Sequence, residues 1–341
     1  MDQEFTDKLT ISWDAGGIVL VDQTKLPSSY KLIRIQTIKE LIKAIRELKV
    51  RGAPALGAAG AYGIALAANL TRAPDVITFK ERIRSIAKSI VKTRPTAVNL
   101  FYGVDRVLKA IDLCITVQEA REVALEEAIK LADEDVITNE ALGAIGASLL
   151  RDGDTVMTYC NAGRLATVGW GTALGIVRSA ALAGKRIAVY ACETRPLNQG
   201  SRITTFELLE DDIPTTLIAD NMAAWIMRQG KIDCVLVGAD RITRTAVYNK
   251  VGTYMLAICA KSHGIPFYVA APLSSFDFEN AAIEVEERDA DELRYCNGKQ
   301  IAPLDVRVEN PAFDATPFEF ITAIITERGI INTEHIESFF S

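Results

Sequence analysis

The spacing of apolar positions changes character near residue 150. Residues 9–36 hold three short alternating runs, at 9–13, 18–22 and 31–35, broken by Asp14-Ala15-Gly16-Gly17 and by Leu26-Pro27-Ser28-Ser29. Period-two alternation between turn residues predicts a small antiparallel sheet. Thr37-Ile38-Lys39-Glu40 has the form of a capping box and opens a helix to about residue 48. A Gly/Ala-rich helix follows to about residue 69, then helices at roughly 76–92, 97–111 and 117–150. Beyond the turn Asp152-Gly153-Asp154, apolar runs at 155–159, 186–191, 215–219, 233–238 and 266–270 alternate with helical spacing at 164–183, 201–210, 221–229 and 250–263.

Strand–helix alternation with apolar strands predicts a parallel, Rossmann-like sheet. The expected class is α/β: a mainly helical domain with a small antiparallel sheet over residues 1–130, then a Rossmann-like domain over 131–341. The boundary should fall along the helix near 125–150. No G-x-G-x-x-G follows the first strand of the second half, so the dinucleotide fingerprint is missing. Gly169, Gly171 and Gly175 do not fit its register.

Composition narrows the function. The 341 residues are 49% hydrophobic and 24% charged, as in ordinary globular proteins, with a net charge of −6. No Lys/Arg cluster offers a nucleic-acid or membrane surface. The apolar stretch from Ala53 reads as a buried helix, and Met1-Asp2-Gln3-Glu4 has no signal-peptide pattern. A cytoplasmic location is expected. The six cysteines show no C-x-x-C spacing, and with two histidines neither a zinc site nor any other metal or cofactor is expected.

Polar groups recur at the ends of the later apolar runs. The first ends in Cys160-Asn161-Ala162-Gly163 and is expected to lead directly into a helix, where free N–H groups favour an anion. A βα turn with a buried cysteine fits the same residues. The second ends in Glu193-Thr194-Arg195-Pro196 and continues to Gln199, the third in Asp220-Asn221, and the fourth in Ala239-Asp240-Arg241. Each has a local explanation: a cap, a helix N-cap, a carboxylate held by Arg241 or Arg244. Their recurrence on one edge of a parallel sheet points to a shared site. A desolvated Asp240 would suit proton shuttling. Upstream, Arg51-Gly52-Ala53-Pro54 and Lys92-Thr93-Arg94-Pro95-Thr96-Ala97 each place an arginine before a helix start, a competent phosphate grip or a solvated cation.

Several stretches occur together and in order: Val50-Arg51-Gly52-Ala53-Pro54-Ala55-Leu56-Gly57; Cys160-Asn161-Ala162-Gly163 with Gly171-Thr172-Ala173-Leu174-Gly175; Glu193-Thr194-Arg195-Pro196; Gly238-Ala239-Asp240-Arg241; Asn249-Lys250; and Asn310-Pro311-Ala312-Phe313-Asp314. From about residue 10 to 330 the chain resembles the aldose–ketose isomerase family that contains methylthioribose-1-phosphate isomerase and the regulatory subunits of translation initiation factor two-B. The resemblance implies a homodimer acting on a sugar phosphate, with Cys160 and Asp240 as the catalytic pair. It implies substrate contacts by Arg51, Gly52, Ala53, Arg94, Gln199, Asn249 and Lys250. The expected reaction converts 5-methylthioribose 1-phosphate to 5-methylthioribulose 1-phosphate in methionine salvage. Alternatives are a 5-deoxyribose 1-phosphate or ribose 1,5-bisphosphate isomerase, or a non-catalytic sugar-phosphate-sensing subunit. The chain departs from the family pattern at 242–248, where Arg244 and Tyr248 replace small or acidic residues.

Overall fold

The computed structural model describes residues 8–95, 97–280, 282–296, 298–336 and 339; Met1 to Glu4 and Thr96, read above from sequence, lie outside them. The chain forms two compact units, one of Met1–Thr138 with Arg164–Gly171, the other of Asn139–Gly163 with Thr172–Ser341.

In the first unit, β1 (Ile11–Asp14), β2 (Gly17–Val21) and β3 (Leu32–Ile35) form an antiparallel sheet. The two residues joining β1 to β2, Ala15 and Gly16, both have positive φ, the geometry whose twist matches a two-residue hairpin. The capping box at α1 (Ile38–Arg46) is complete: Glu40 N–H donates to Thr37 Oγ1 at 3.2 Å, and Thr37 N–H to the Glu40 carboxylate at 2.9 Å.

The core of this unit is α2 (Ala53–Leu70), buried on every side from Ala55 to Ala68. It is long and apolar enough to cross a membrane by length and composition alone, but its burial is that of a core helix. α3 (Val76–Val91), α4 (Val98–Asp112) and most of α5 (Val117–Ala147) surround it. A Cβ at Gly60 would stand 2.7 Å from Leu100 O of α4, so glycine sets this close approach.

The second unit holds β4 (Thr155–Thr158), α6 (Ala173–Leu182), β5 (Ala188–Cys192), α7 (Thr205–Glu210), β6 (Thr215–Ile218), α8 (Ala223–Arg228), β7 (Cys234–Gly238), β8 (Arg241–Ile242), β9 (Ala246–Lys250), α9 (Thr253–Ser262) and β10 (Phe267–Ala270). Then come α10 (Asp291–Arg294), β11 (Tyr295–Cys296), β12 (Lys299–Gln300), β13 (Phe313–Pro317), β14 (Ala323–Thr326) and β15 (Gly329–Asn332). The main sheet has the order β15-β14-β10-β7-β4-β5-β6, parallel except for β15. Both faces are covered. Met157, Val235 and Val269 enter one apolar cluster with α8 and α9; Val156, Leu236 and Ala270 enter another with α6. Two buried faces explain why these strands read as continuous apolar runs. The α/β class and its small antiparallel sheet agree with the sequence reading.

The helix expected from residue 164 begins instead at Ala173. Arg164–Ala166 makes one tight turn, and all of Arg164–Gly171 belongs to the first unit. There Thr10 Oγ1 donates to Arg164 O at 2.6 Å, Gln23 Nε2 to Leu165 O at 2.7 Å, and Val168 N–H to Asp135 at 2.7 Å. These partners take backbone groups that a helix would need. Trp170 and Gly171, both with positive φ, end the excursion. A small sheet of β13-β9-β8, also absent from the sequence reading, stands beyond the end of β7.

Candidate active site

The main sheet supplies the organising geometry. From β4 the chain adds β5 and then β6 on one side, and returns to place β7 on the other side of β4. The order therefore reverses between β4 and β7, where open α/β sheets form a crevice at the carboxyl ends of their strands. Cys160 follows β4 and Asp240 follows β7. The parallel register pairs Val156 with Cys234 and Met157 with Val235, so the two continuations emerge side by side.

Cys160 sits in a strained turn. Its φ is 62°, a region that residues with a Cβ seldom occupy. Its N–H donates to Thr194 Oγ1 at 2.8 Å, and its carbonyl accepts from Thr204 Oγ1 at 2.6 Å. Thr194, at the end of β5, is itself at φ 64°. Asp220, after β6, accepts from Thr194 N–H at 2.7 Å and Arg195 N–H at 2.8 Å. Asp220 thus braces the neighbouring strand end and does not cap its own helix, as the sequence had allowed.

Gln199 follows in the same loop, before the π-turn Gly200–Thr204. It is 6% exposed, and among the described residues its Oε1 has no hydrogen-bond partner. A buried unpaired acceptor carries a desolvation cost and is suited to a ligand donor.

Asp240 is held by main chain. Its N–H donates to Tyr248 O at 2.9 Å, at the mouth of the β8–β9 hairpin. The register pairs Arg241 with Tyr248 and Asn249 with Asp314. Asp240 therefore stands just before this ladder, in which Asn249 and Asp314 are cross-strand neighbours. Burial lowers the Arg241 pKa, while Asp277 and Asp240 act in the opposite sense. Asp240 is therefore both half-buried and beside a cation. Asn249 is buried and donates to Thr253 Oγ1 at 3.1 Å. Lys250 Nζ donates to Ala312 O at 2.8 Å and lies 5.3 Å from the centre of the Phe313 ring. Arg244 is exposed and donates to Phe278 O at 3.0 Å.

The remaining expected residues belong to the first unit. Arg51 is half-buried and precedes Gly52, whose φ of 95° starts α2, with Ala53 at its first position. The Ala166 main chain packs on Gly52 where a Cβ would stand. Arg94, also half-buried, lies in the turn before α4, donating its N–H to Val91 O and accepting from Ala97 N–H. Among the described residues no group of three or more His, Cys, Asp or Glu side chains is placed to hold a metal ion.

Residues 49–333 match the model of the initiation factor 2 subunit family. The chain belongs to this family. It is 58% identical, over 94% of its length and 93% of the relative's, to a Methanosarcina acetivorans protein provisionally named a methylthioribose-1-phosphate isomerase. A Thermosipho melanesiensis methylthioribose-1-phosphate isomerase is 48% identical over 97% of this chain and 96% of its own. The crystal structure of 5-methylthioribose 1-phosphate isomerase from Pyrococcus horikoshii superposes with a TM-score of 0.93 at 39% identity, covering 100% of this chain and 98% of that one. A structure described as translation initiation factor eIF-2B, subunit delta, from A. fulgidus has a TM-score of 0.88 and 56% identity over 96% of this chain and 97% of that one.

Within this family fold one group stands out that sequence spacing did not single out. Asp314, on β13, accepts from Gly252 N–H at 2.6 Å and from Tyr254 N–H at 3.1 Å. Burial pushes its carboxyl up to about 6, against the lowering pull of those amides and of Lys250. Tyr159 links it to the other strand end. Burial raises the Tyr159 hydroxyl, and Asp220, Cys192, Cys160 and Asp314 add to the rise. A Cβ at Gly252 would collide with the Tyr159 hydroxyl. The available signal was Asn310-Pro311-Ala312-Phe313-Asp314, a polar, turn-rich stretch ending in a carboxylate.

Proposed function

We propose that the protein is an aldose–ketose isomerase that converts 5-methylthioribose 1-phosphate to 5-methylthioribulose 1-phosphate, a step of methionine salvage. The observation that carries this reading is the emergence of Cys160 and Asp240 from adjacent strands at the reversal of strand order. Relatives at 46–58% identity over at least 94% of the chain bear the name of that isomerase.

The substrate's C1 oxygen is esterified, so its ring does not open as a free sugar does. Asp240, as the acid, gives a proton to the ring oxygen as the C1–O bond breaks. One hydrogen then moves from C2 to C1, the C2 hydroxyl loses its proton back to the carboxylate, and C2 becomes a carbonyl. Atoms and charge balance without an external oxidant or reductant. Cys160 takes part in the transfer or stabilises its transition state. Arg51, Arg94 and the Gly52–Ala53 backbone hold the phosphate; Gln199, Asn249 and Lys250 hold the sugar. Gln199 Oε1 suits a sugar hydroxyl donor. The reading includes a cytoplasmic homodimer, which sedimentation would test.

A second reading, a non-catalytic regulatory subunit, is favoured by the likeness to the A. fulgidus structure described as an initiation factor. Turnover of 5-methylthioribose 1-phosphate, 5-deoxyribose 1-phosphate and ribose 1,5-bisphosphate, measured side by side, separates these readings. Preferred turnover of the first is expected. No turnover of any, with tight nucleotide or sugar-phosphate binding, establishes the regulatory reading.

A further inference from the structure

Beneath Cys160 lies a buried polar network that the reaction itself does not use. Glu207, on α7, is fully buried at 0% exposure. Its Oε1 accepts from Asn161 Nδ2 at 3.0 Å. Asn161 Nδ2 also reaches Thr204 Oγ1 at 3.1 Å, the hydroxyl that donates to Cys160 O. Gly163 packs its Cα against the Glu207 carboxylate so closely that any Cβ would collide with Oε2. On the far side Arg178 of α6 lies 3.7 Å from Glu207 and bonds Asp211 through Nε at 2.9 Å and Nη2 at 2.5 Å. Both ends of the turn Cys160-Asn161-Ala162-Gly163 therefore rest on α7 and the π-turn before it.

An ordinary βα turn does not need this arrangement. A buried carboxylate costs several kcal/mol unless it is paired and hydrogen-bonded. Small apolar residues would fill the same volume at less cost. The π-turn Gly200–Thr204 is itself a rare element, met mostly at functional sites. It brings Thr204 and Glu207, three residues apart, onto one side of the chain facing the cysteine turn. The turn they brace holds Cys160 at a φ of 62°, a conformation that persists only where the surroundings enforce it.

We propose that Glu207 is a positioning residue for the reaction: through Asn161 and Gly163 its carboxylate, paired with Arg178, fixes the Cys160 turn and so aims the thiol into the crevice. The inference rests on the reading that Cys160 reacts. Glutamine cannot replace the carboxylate. An oxygen turned to Asn161 sets the amide NH2 against Arg178 and Gly163; the reverse sets it against Asn161.

The experiment compares Glu207→Gln and Asn161→Ala with wild type by steady-state kinetics, thermal melting and the rate at which iodoacetamide alkylates Cys160. Alkylation is referenced to a Cys160→Ser background. A displaced reacting group costs up to about 100-fold, so kcat should fall roughly 10- to 100-fold. KM should stay within about threefold and the alkylation rate should change, while the protein still melts cooperatively. The double variant should be no slower than the slower single, because both act through one contact. A folded Glu207→Gln protein with wild-type kcat and alkylation rate overturns the proposal. Loss of folding in both variants overturns it too, by assigning the network to stability alone. An active Cys160→Ser protein removes the catalytic reading but leaves the alkylation rates to report on the turn, so the two failures are distinguishable.

Discussion

The ends of β4 and β7 present Cys160 and Asp240, the proposed reactive pair, by different means. After β4, Cys160 is fastened by side chains: Thr194, Thr204, and Asn161 with Glu207. After β7, the Asp240 main chain is fastened by its N–H on Tyr248 O, just ahead of the β8–β9–β13 ladder. Side-chain fastening places a small group in a strained turn and depends on each partner. A backbone ladder tolerates changes of side chain so long as the register holds. Supporting substitutions should therefore do more damage on the β4 side.

The largest effect is expected at the proposed reactive pair itself, whose two members have equal parts in the reading. Cys160→Ser and Asp240→Asn should each reduce turnover by about 10²–10⁴-fold while leaving the fold intact. Near-normal kcat in either variant on the true substrate would break the symmetry of roles and leave one strand end as scaffolding.

The supports should then separate the two ends. Thr194→Val removes the acceptor of Cys160 N–H and leaves that amide unsatisfied, at a cost of about 1–3 kcal/mol, with a fall in kcat. Tyr248→Phe removes only a long contact, 3.4 Å, from Ile283 N–H, and keeps the carbonyl that holds Asp240. It should cost at most about 1 kcal/mol and leave kcat within roughly threefold. Equal losses in urea midpoint and kcat for the two variants would end the distinction.

The frame was legible because the strongest local signals agreed with the tertiary outcome. The apolar run 234–238 is buried on both faces, and the Thr37–Glu40 pair is a cap in fact as well as in spacing. What failed to show depends on contacts distant in sequence. Leu165, Val168, Thr172 and Ile176 have helical spacing, but Thr10 and Gln23 claim the backbone of 164–165 across |i−j| of 154 and 142 residues. No window of residues contains that competition. The β9–β13 pairing joins Asn249 to Asp314, so its short polar strands carry little periodicity of their own. Cys160 and Asp240 stood out because each follows an apolar run; Glu207 and Asp314 did not, because their burial comes from other elements.

Asp314 allows the ladder side to be tested by pH. Its folded pKa, about 6, lies above the ordinary aspartate value of 3.8, so burial of the charged form outweighs its hydrogen bonds. The folded state therefore binds this proton more readily than the unfolded chain. Its favourable contribution is complete below about pH 4 and is lost as pH rises through about 6. Two pKa units correspond to roughly 2–3 kcal/mol at most. Asp314→Asn lacks this titration. In melts between pH 4.5 and 7.5 the variant should gain on wild type up to about pH 7, after which the gap is constant. Parallel curves across that range would show that burial does not raise the Asp314 carboxyl.

Arg244 should show the smallest effect, although it is the most conspicuous departure from the family pattern. A cation four residues into the Asp240–Asn249 connection invites a role in choosing the substrate's 5-substituent, and a phosphorylated substrate would favour it. The structure offers little support for that role. Arg244 stands at the exposed tip of the β8–β9 hairpin, while Arg241, Ile242 and Val247 are buried on either side. Its Nε donates to the Phe278 carbonyl, which occupies one edge of the guanidinium. An exposed side chain with one main-chain partner ordinarily contributes within about 0.5 kcal/mol. Arg244→Ala should accordingly melt within about two degrees of wild type and keep the ratio of kcat/KM values for methylthio-, deoxy- and 5-phosphorylated substrates within roughly threefold. A selective loss on the 5-phosphorylated substrate alone would show that the hairpin tip reads the substituent, and the main-chain side of the site would then carry specificity as well as Asp240.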